Sequence, residues 1–89
     1  MSAGMGKELV FTRAAARALT RMPRDSEDLI RRKLKQYADD PASLANNVRA
    51  LKGEGERYRL RVGDWRAVFT SEPDRIIVHV VGPRGSIYD

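Results

Sequence analysis

YRLRVGDWRAVF, residues Tyr58 to Phe69, is the stretch on which the fold turns. Gly63 and Asp64 separate two strand-like runs, the signature of a β-hairpin closed by a two-residue turn of type II′. With that loop, Val62 pairs with Trp65, Arg61 with Arg66, Leu60 with Ala67, Arg59 with Val68 and Tyr58 with Phe69. Successive side chains of a strand point to opposite faces. One face of the hairpin therefore carries Tyr58, Leu60, Val62, Trp65, Ala67 and Phe69. The other carries Arg59, Arg61, Arg66, Val68 and Thr70. A slip of one residue would mix the two sets, so the pattern itself supports the register.

The apolar face calls for a cover, and the residues upstream supply one. Glu8 to Phe11 (ELVF) is a short apolar run that suits a first strand. Thr12 is placed to cap a helix in which Ala15, Ala18, Leu19 and Met22 recur at helical spacing, until Pro23 ends it. Arg13, Arg17 and Arg21 lie on another side of that helix, either solvated or available to RNA or an acidic partner. Ser26 is expected to cap a second helix with Glu27 and Asp28 in its first turn, where carboxylates complement the helix dipole. Ile30, Leu34 and Tyr37 form its apolar stripe, leaving Arg31, Arg32, Lys33 and Lys35 mostly solvated. The short link between the helices predicts a helical hairpin. Residues 41–57 read as a mixed loop with one helical turn near Ser43–Ala45.

Downstream, Glu72 to Asp74 mark a turn and Ile76 to Val81 (IIVHVV) a further strand, ended by Gly82 and Pro83. The expected order is β-α-α-β-β-β. That is an α+β fold with a small, mostly antiparallel sheet and a two-helix hairpin packed on one face. The 89 residues make one domain, with residues 1–6 as a disordered tail. A chain of this length buries only about 60–65% of its unfolded surface, so the core is small.

Composition narrows the partners. The net charge is +5 and the isoelectric point about 10.1, which suits nucleic acid, an acidic protein or a ribosome. There is no cysteine, so disulfides and thiolate metal sites are excluded, as fits a cytoplasmic protein. No stretch resembles a membrane span or the core of a signal peptide. P-loop, zinc-ligand and Ser-His-Asp patterns are missing, and no carboxylate cluster suggests a two-metal nuclease. No metal or other cofactor is expected.

The arginines of the hairpin are the anomaly. Arg61 and Arg66 stand directly across the ladder, an arrangement that costs a sheet about 0.2–1 kcal/mol. The last strand runs back beside the second hairpin strand, so its end falls near Arg66 and delivers Arg84 and Tyr88 to the same basic edge. Guanidinium forks match phosphate oxygens in pairs, and an anion among them relieves the repulsion.

The residues that carry this pattern resemble the RelE/ParE superfamily of type II toxins. Leu51, Lys52, Tyr58, Arg59, Arg61, Gly63, Trp65, Arg66, Gly82, Arg84 and Tyr88 stand in the places of its motif. The resemblance covers nearly the whole chain and implies a toxin neutralised by an antitoxin with an acidic toxin-binding segment. Its RelE branch cleaves mRNA on the ribosome, and its ParE branch poisons DNA gyrase without a nuclease site. The basic middle strand, the following Arg66 and the late Arg84 and Tyr88 favour the RelE branch. By this resemblance Arg61, Arg66, Arg84 and Tyr88 are the candidate catalytic residues, with Lys52, Arg59 and Trp65 as candidate RNA-binding residues.

Metal-free RNA cleavage needs a base for the 2′-hydroxyl, cations for the crowded phosphorus and a proton for the departing 5′-oxygen. The arginines suit the second task, and Tyr88 could stack on a base, bond the phosphate or move a proton. RelE nucleases carry lysines where this chain has Arg59 and Arg61, and an arginine effectively never loses its proton. The base is therefore open among Lys52, His79, Tyr88, Asp89 and a ribosomal group. The face of His79 depends on the turn at residues 72–75: three loop residues place it with the apolar set, four with the arginines. A core or edge position is the expectation. Trp65 is expected mainly in the core, with a rim position for base stacking as the alternative.

Overall fold

The computed structural model describes residues 6–51 and 56–85. The hairpin forms in the expected register. Strands β3 (Arg57–Val62) and β4 (Trp65–Ser71) pair antiparallel, with Arg61 opposite Arg66 and Val62 opposite Trp65. Gly63 takes φ 59° and no non-glycine residue among those described has a positive φ, which is the type II′ pattern. A Cβ at Gly63 would be strained by that angle, so the turn needs glycine there.

Upstream, β1 (Glu8–Phe11) leads into α1 (Arg13–Arg21). The Ala15 N–H donates to the Thr12 hydroxyl at 3.2 Å, so Thr12 caps α1 as its chemistry predicts. Helix α2 (Arg24–Asp39) begins earlier than expected: Pro23, not Ser26, is its N-cap. The Glu27 N–H donates to the Pro23 carbonyl at 2.9 Å, closing the first turn without a side-chain cap. Asp25 and Glu27 in that turn supply the negative charge that favours the start. Arg31 is less solvated than expected. It pairs with Glu27 at 2.9 Å, and its Cζ sits 5.2 Å from the centroid of the Phe11 ring, linking α2 to β1.

Residues 41–57 are more ordered than a mixed loop. A 3₁₀ segment spans Pro41–Asn47 and is followed by a short strand, β2 (Val48–Ala50). β2 pairs antiparallel with β3, and the Leu51 N–H extends the ladder to the Arg57 carbonyl at 2.9 Å. The last strand, β5 (Arg75–Pro83), completes a five-stranded sheet in the order β1-β5-β4-β3-β2. Among the described residues, only the β1–β5 pair is parallel. The fold is α+β, as expected, with one strand more than the sequence suggested.

The helices cover one face of the sheet. Ala15 and Leu19 of α1, with Ile30, Leu34 and Ala38 of α2, pack on Leu60, Val62, Ala67, Phe69, Ile76, Val78 and Val81. Phe69 is the largest fully buried side chain among the described residues and has tyrosines on two sides, with ring centroids 5.1 Å to Tyr37 and 5.7 Å to Tyr58. Burial, and then the nearby Tyr58, push the Tyr37 phenol above its ordinary pKa.

One irregularity shapes the opposite face. Phe69 pairs with Val78, but Val68 pairs with Val80, so β5 carries one extra residue, a β-bulge at His79. Without the bulge the alternation would turn Val80 into the core and Val81 out of it. With it, Val81 is buried and Val80 is 41% exposed. The bulge thus returns β5 to a register in which Val81 meets Ala67 and Gly82 meets Arg66.

Candidate functional site

The sheet face without helices is basic. Arg57, Arg59 and Arg61 alternate along β3, and Arg61 stands opposite Arg66 of β4. Strand β2 adds Arg49, directly opposite Arg59. Five arginines from three adjacent strands therefore share one surface. The sequence reading missed Arg49 because it missed β2. The available signal was the Val48-Arg49-Ala50 run, which places an aliphatic and a cation two faces apart, but three residues are too few to mark a strand alone.

Val68 lies at the centre of this surface. It is 5% exposed, yet it does not belong to the cluster packed beneath the helices. Its cover must come from its own side, where its cross-strand neighbours are Arg59 and Val80 and its neighbours along β4 are Arg66 and Thr70. Arg59 and Arg66 are both half-buried, with their Nε atoms excluded from solvent. Half-burial of this kind fits long side chains that lay their stems along apolar surface.

Arg66 is also held at the hairpin's end. One terminal nitrogen donates to the Gly63 and Trp65 carbonyls, each at 2.9 Å. Those carbonyl dipoles offset part of the repulsion from Arg61 and fix the guanidinium beside the turn. Gly82, opposite Arg66, places no side chain there. The Arg84 N–H donates to the Asp64 carbonyl at 2.8 Å, so Arg84 reaches the same end of the sheet, as the strand order implied. Arg61 and Arg84 are exposed. Lys52, Tyr88 and Asp89 lie outside the described residues.

Trp65 does not join this surface. It pairs with Val62 and Pro83 and packs, half-buried, against the helix-covered core. His79 corrects the expectation of a core or edge position. Its Nε2 lies 3.1 Å from the hydroxyl of Thr70, which stands opposite Arg57 on the basic face. Four residues separate the paired Ser71 and Ile76, the longer of the two turns considered, and the bulge keeps the ring on that side. Partial burial, and then the charge of Arg57, hold the imidazole pKa below its ordinary value.

Among the described residues, no group of three or more His, Asp or Glu side chains is placed to hold a metal ion. No described helix is long and apolar enough to cross a membrane. The chemistry available on the face is anion binding by fixed cations, with one imidazole beside them.

No family model matches the sequence, and no curated protein matches it. Solved structures do match. The archaeal RelE–RelB complex from Pyrococcus horikoshii OT3 aligns with a TM-score of 0.76 at 22% identity, over 93% of this chain and all of that one. The RelBE2 toxin–antitoxin complex from Mycobacterium tuberculosis aligns at 0.77 and 17% identity, over 90% of this chain and 93% of that one. The free E. coli toxin RelE, an arginine-to-alanine double mutant, aligns at 0.75 and 20%, over 92% and 87%. Backbone agreement across nearly the whole length of each partner, reached independently of sequence identity, establishes that this chain has the RelE fold.

Proposed function

We propose that the chain is the toxin of a type II toxin–antitoxin pair and inhibits translation by cleaving mRNA on the ribosome without a metal. The observation that carries this reading is the arginine surface: Arg59, Arg61 and Arg66 on the sheet face opposite the helices, with Arg84 at the same end. Arg61, Arg66 and Arg84 are assigned to the scissile phosphate, where fixed donors stabilise the charge that grows on its oxygens. Arg59 and Lys52 hold flanking phosphates, and Tyr88 acts on the base or the phosphate. Trp65, set on the other side of the sheet, contributes to RNA binding only if the message wraps the hairpin's end.

The partner is an antitoxin whose acidic segment neutralises the arginine face or the grooves beside the helices. Complexes of RelE with RelB among the matching structures support such a partner. Co-purification from the native operon tests it, and recovery of free toxin alone counts against it. Cleavage is tested by in-vitro translation of a defined message with mapping of the new 5′ ends on A-site codons. Wild-type protein should cut, and Arg84→Ala should cut far less. Equal cutting by both sinks the assignment.

A second reading has its own support. Arginines stand where RelE nucleases carry lysines, which removes the usual proton acceptors. This favours a ParE-like inhibitor that binds DNA gyrase and cleaves nothing. Supercoiling and cleavage-complex assays with purified gyrase separate the two readings.

A further inference from the structure

An arginine-built site stabilises the phosphorus but leaves the 2′-hydroxyl proton without an acceptor. Arg59 and Arg61 cannot take it, because a guanidinium stays protonated throughout the accessible pH range. His79 is the single histidine of the chain, and the structure puts it on the arginine face. We propose that His79 is the general base of this cleavage and that Thr70 is the positioning residue that sets its tautomer. The assignment rests on the nuclease reading above.

Three features point the same way. First, the bulge exists at His79 itself, and bulges re-aim side chains beside functional sites. Second, the segment is pinned on both sides. The Thr12 hydroxyl donates to the His79 carbonyl at 3.2 Å and the Thr12 N–H to the Val78 carbonyl at 3.0 Å, while Thr70 engages Nε2. Third, the row of Arg59 and Val68 continues to Val80, and His79 is the bulge residue just before it, with its ring against Thr70, the cross-strand partner of Arg57. Strand β5 lies two inter-strand spacings from β3 in the sheet order, about 10 Å, enough for a sugar-phosphate unit to reach from the β3 guanidiniums to the ring.

Electrostatics agree with the geometry. Burial and then Arg57 of β3 lower the imidazole pKa. The groups that meet the residue from β4 and from the β1–α1 junction, Thr70 and Thr12, are neutral. Both effects favour the uncharged ring, the form able to accept a proton. If Nε2–H donates to the Thr70 oxygen, Nδ1 keeps the lone pair; that is the tautomer the base requires.

The step balances without an added reagent. Nδ1 takes the proton of the 2′-hydroxyl as the 2′-oxygen bonds to phosphorus. The bond from phosphorus to the 5′-oxygen breaks, and that oxygen takes a proton from water. The products are a 2′,3′-cyclic phosphate and a 5′-hydroxyl, and the imidazolium returns its proton to solvent.

The experiment is single-turnover cleavage of ribosome-bound message between about pH 5 and 8, across the range in which an imidazole titrates. Wild-type protein should show a rate that rises with pH and levels off above an inflection lying below the ordinary histidine value. His79→Gln should lower the plateau by about 100-fold or more and erase the inflection. Thr70→Val should lower it less and displace the inflection. A message with a 2′-deoxy nucleotide at the scissile position should bind wild type and His79→Gln equally, which separates a chemical loss from misfolding. Cleavage by His79→Gln within twofold of wild type, a retained inflection, or a matching loss of binding to the deoxy message overturns the assignment. Absence of any wild-type cleavage removes the nuclease reading itself, and the base with it.

Discussion

The two faces of one sheet follow opposite rules. Beneath the helices, Leu60, Phe69, Ile76 and Val78 lose all contact with water. Each contributes roughly 1.5–3 kcal/mol from burial, so this face accounts for the fold. On the other face Arg61 opposes Arg66 and Arg49 opposes Arg59. Like charges across a ladder weaken it, so folding does not explain their placement. The difference separates burial from charge: one face is arranged to exclude water, and the other gathers cations at a cost to the ladder.

The sharpest way to break the contrast is to exchange its costs. Phe69→Ala should destabilise the protein by about 3–5 kcal/mol in urea unfolding, because a large ring leaves a cavity between two tyrosines. A loss under 1 kcal/mol would mean the core is not centred there. Arg61→Ala and Arg66→Ala should each reduce message cleavage by about 100- to 1,000-fold, as removal of a fixed oxyanion donor does. Their melting temperatures should stay near wild type. If either mutation unfolds the protein instead, the arginine face is structural.

Smaller effects refine the comparison. Thr12 serves both faces, capping α1 and holding the His79 carbonyl. Thr12→Ala should cost about 1 kcal/mol by thermal or urea unfolding. The folded-state pKa of His79 is lowered, so its contribution to stability is complete above the unfolded value near 6.5. It should be lost as pH falls from there through the lower folded-state value, and His79→Gln should flatten that part of the melting curve against pH. The smallest effect has the opposite sign. Arg61→Thr should stabilise the free protein by about 0.2–1 kcal/mol by relieving the cross-strand pair. A destabilisation of similar size would show that Arg61 is held by attractive contacts.

The hairpin was legible because its information is local. A glycine able to take positive φ and a period of two fix the register, and the register fixes which side Arg59, Arg61 and Arg66 share. The cap at Thr12 was legible for the same reason. Ser26 misled because several polar residues near a helix start compete for the cap, and the first turn closed on the Pro23 carbonyl instead. The RelE-like architecture followed from elements of this kind, since strand, helix pair and meander each carry their own pattern.

What tertiary structure decided depends on residues far apart in the chain. Val48–Ala50 becomes a strand only because β3 offers an unpaired edge, and this alone brings Arg49 to the basic face. The bulge at His79 is set by competition between Val80 and Val81 for a place opposite Ala67, a choice made by core packing rather than by local propensity. The sequence by itself determined the helix pair, the hairpin and its charged side. Packing across the sheet determined which further residues join that side, because pairing and burial are properties of neighbours in space.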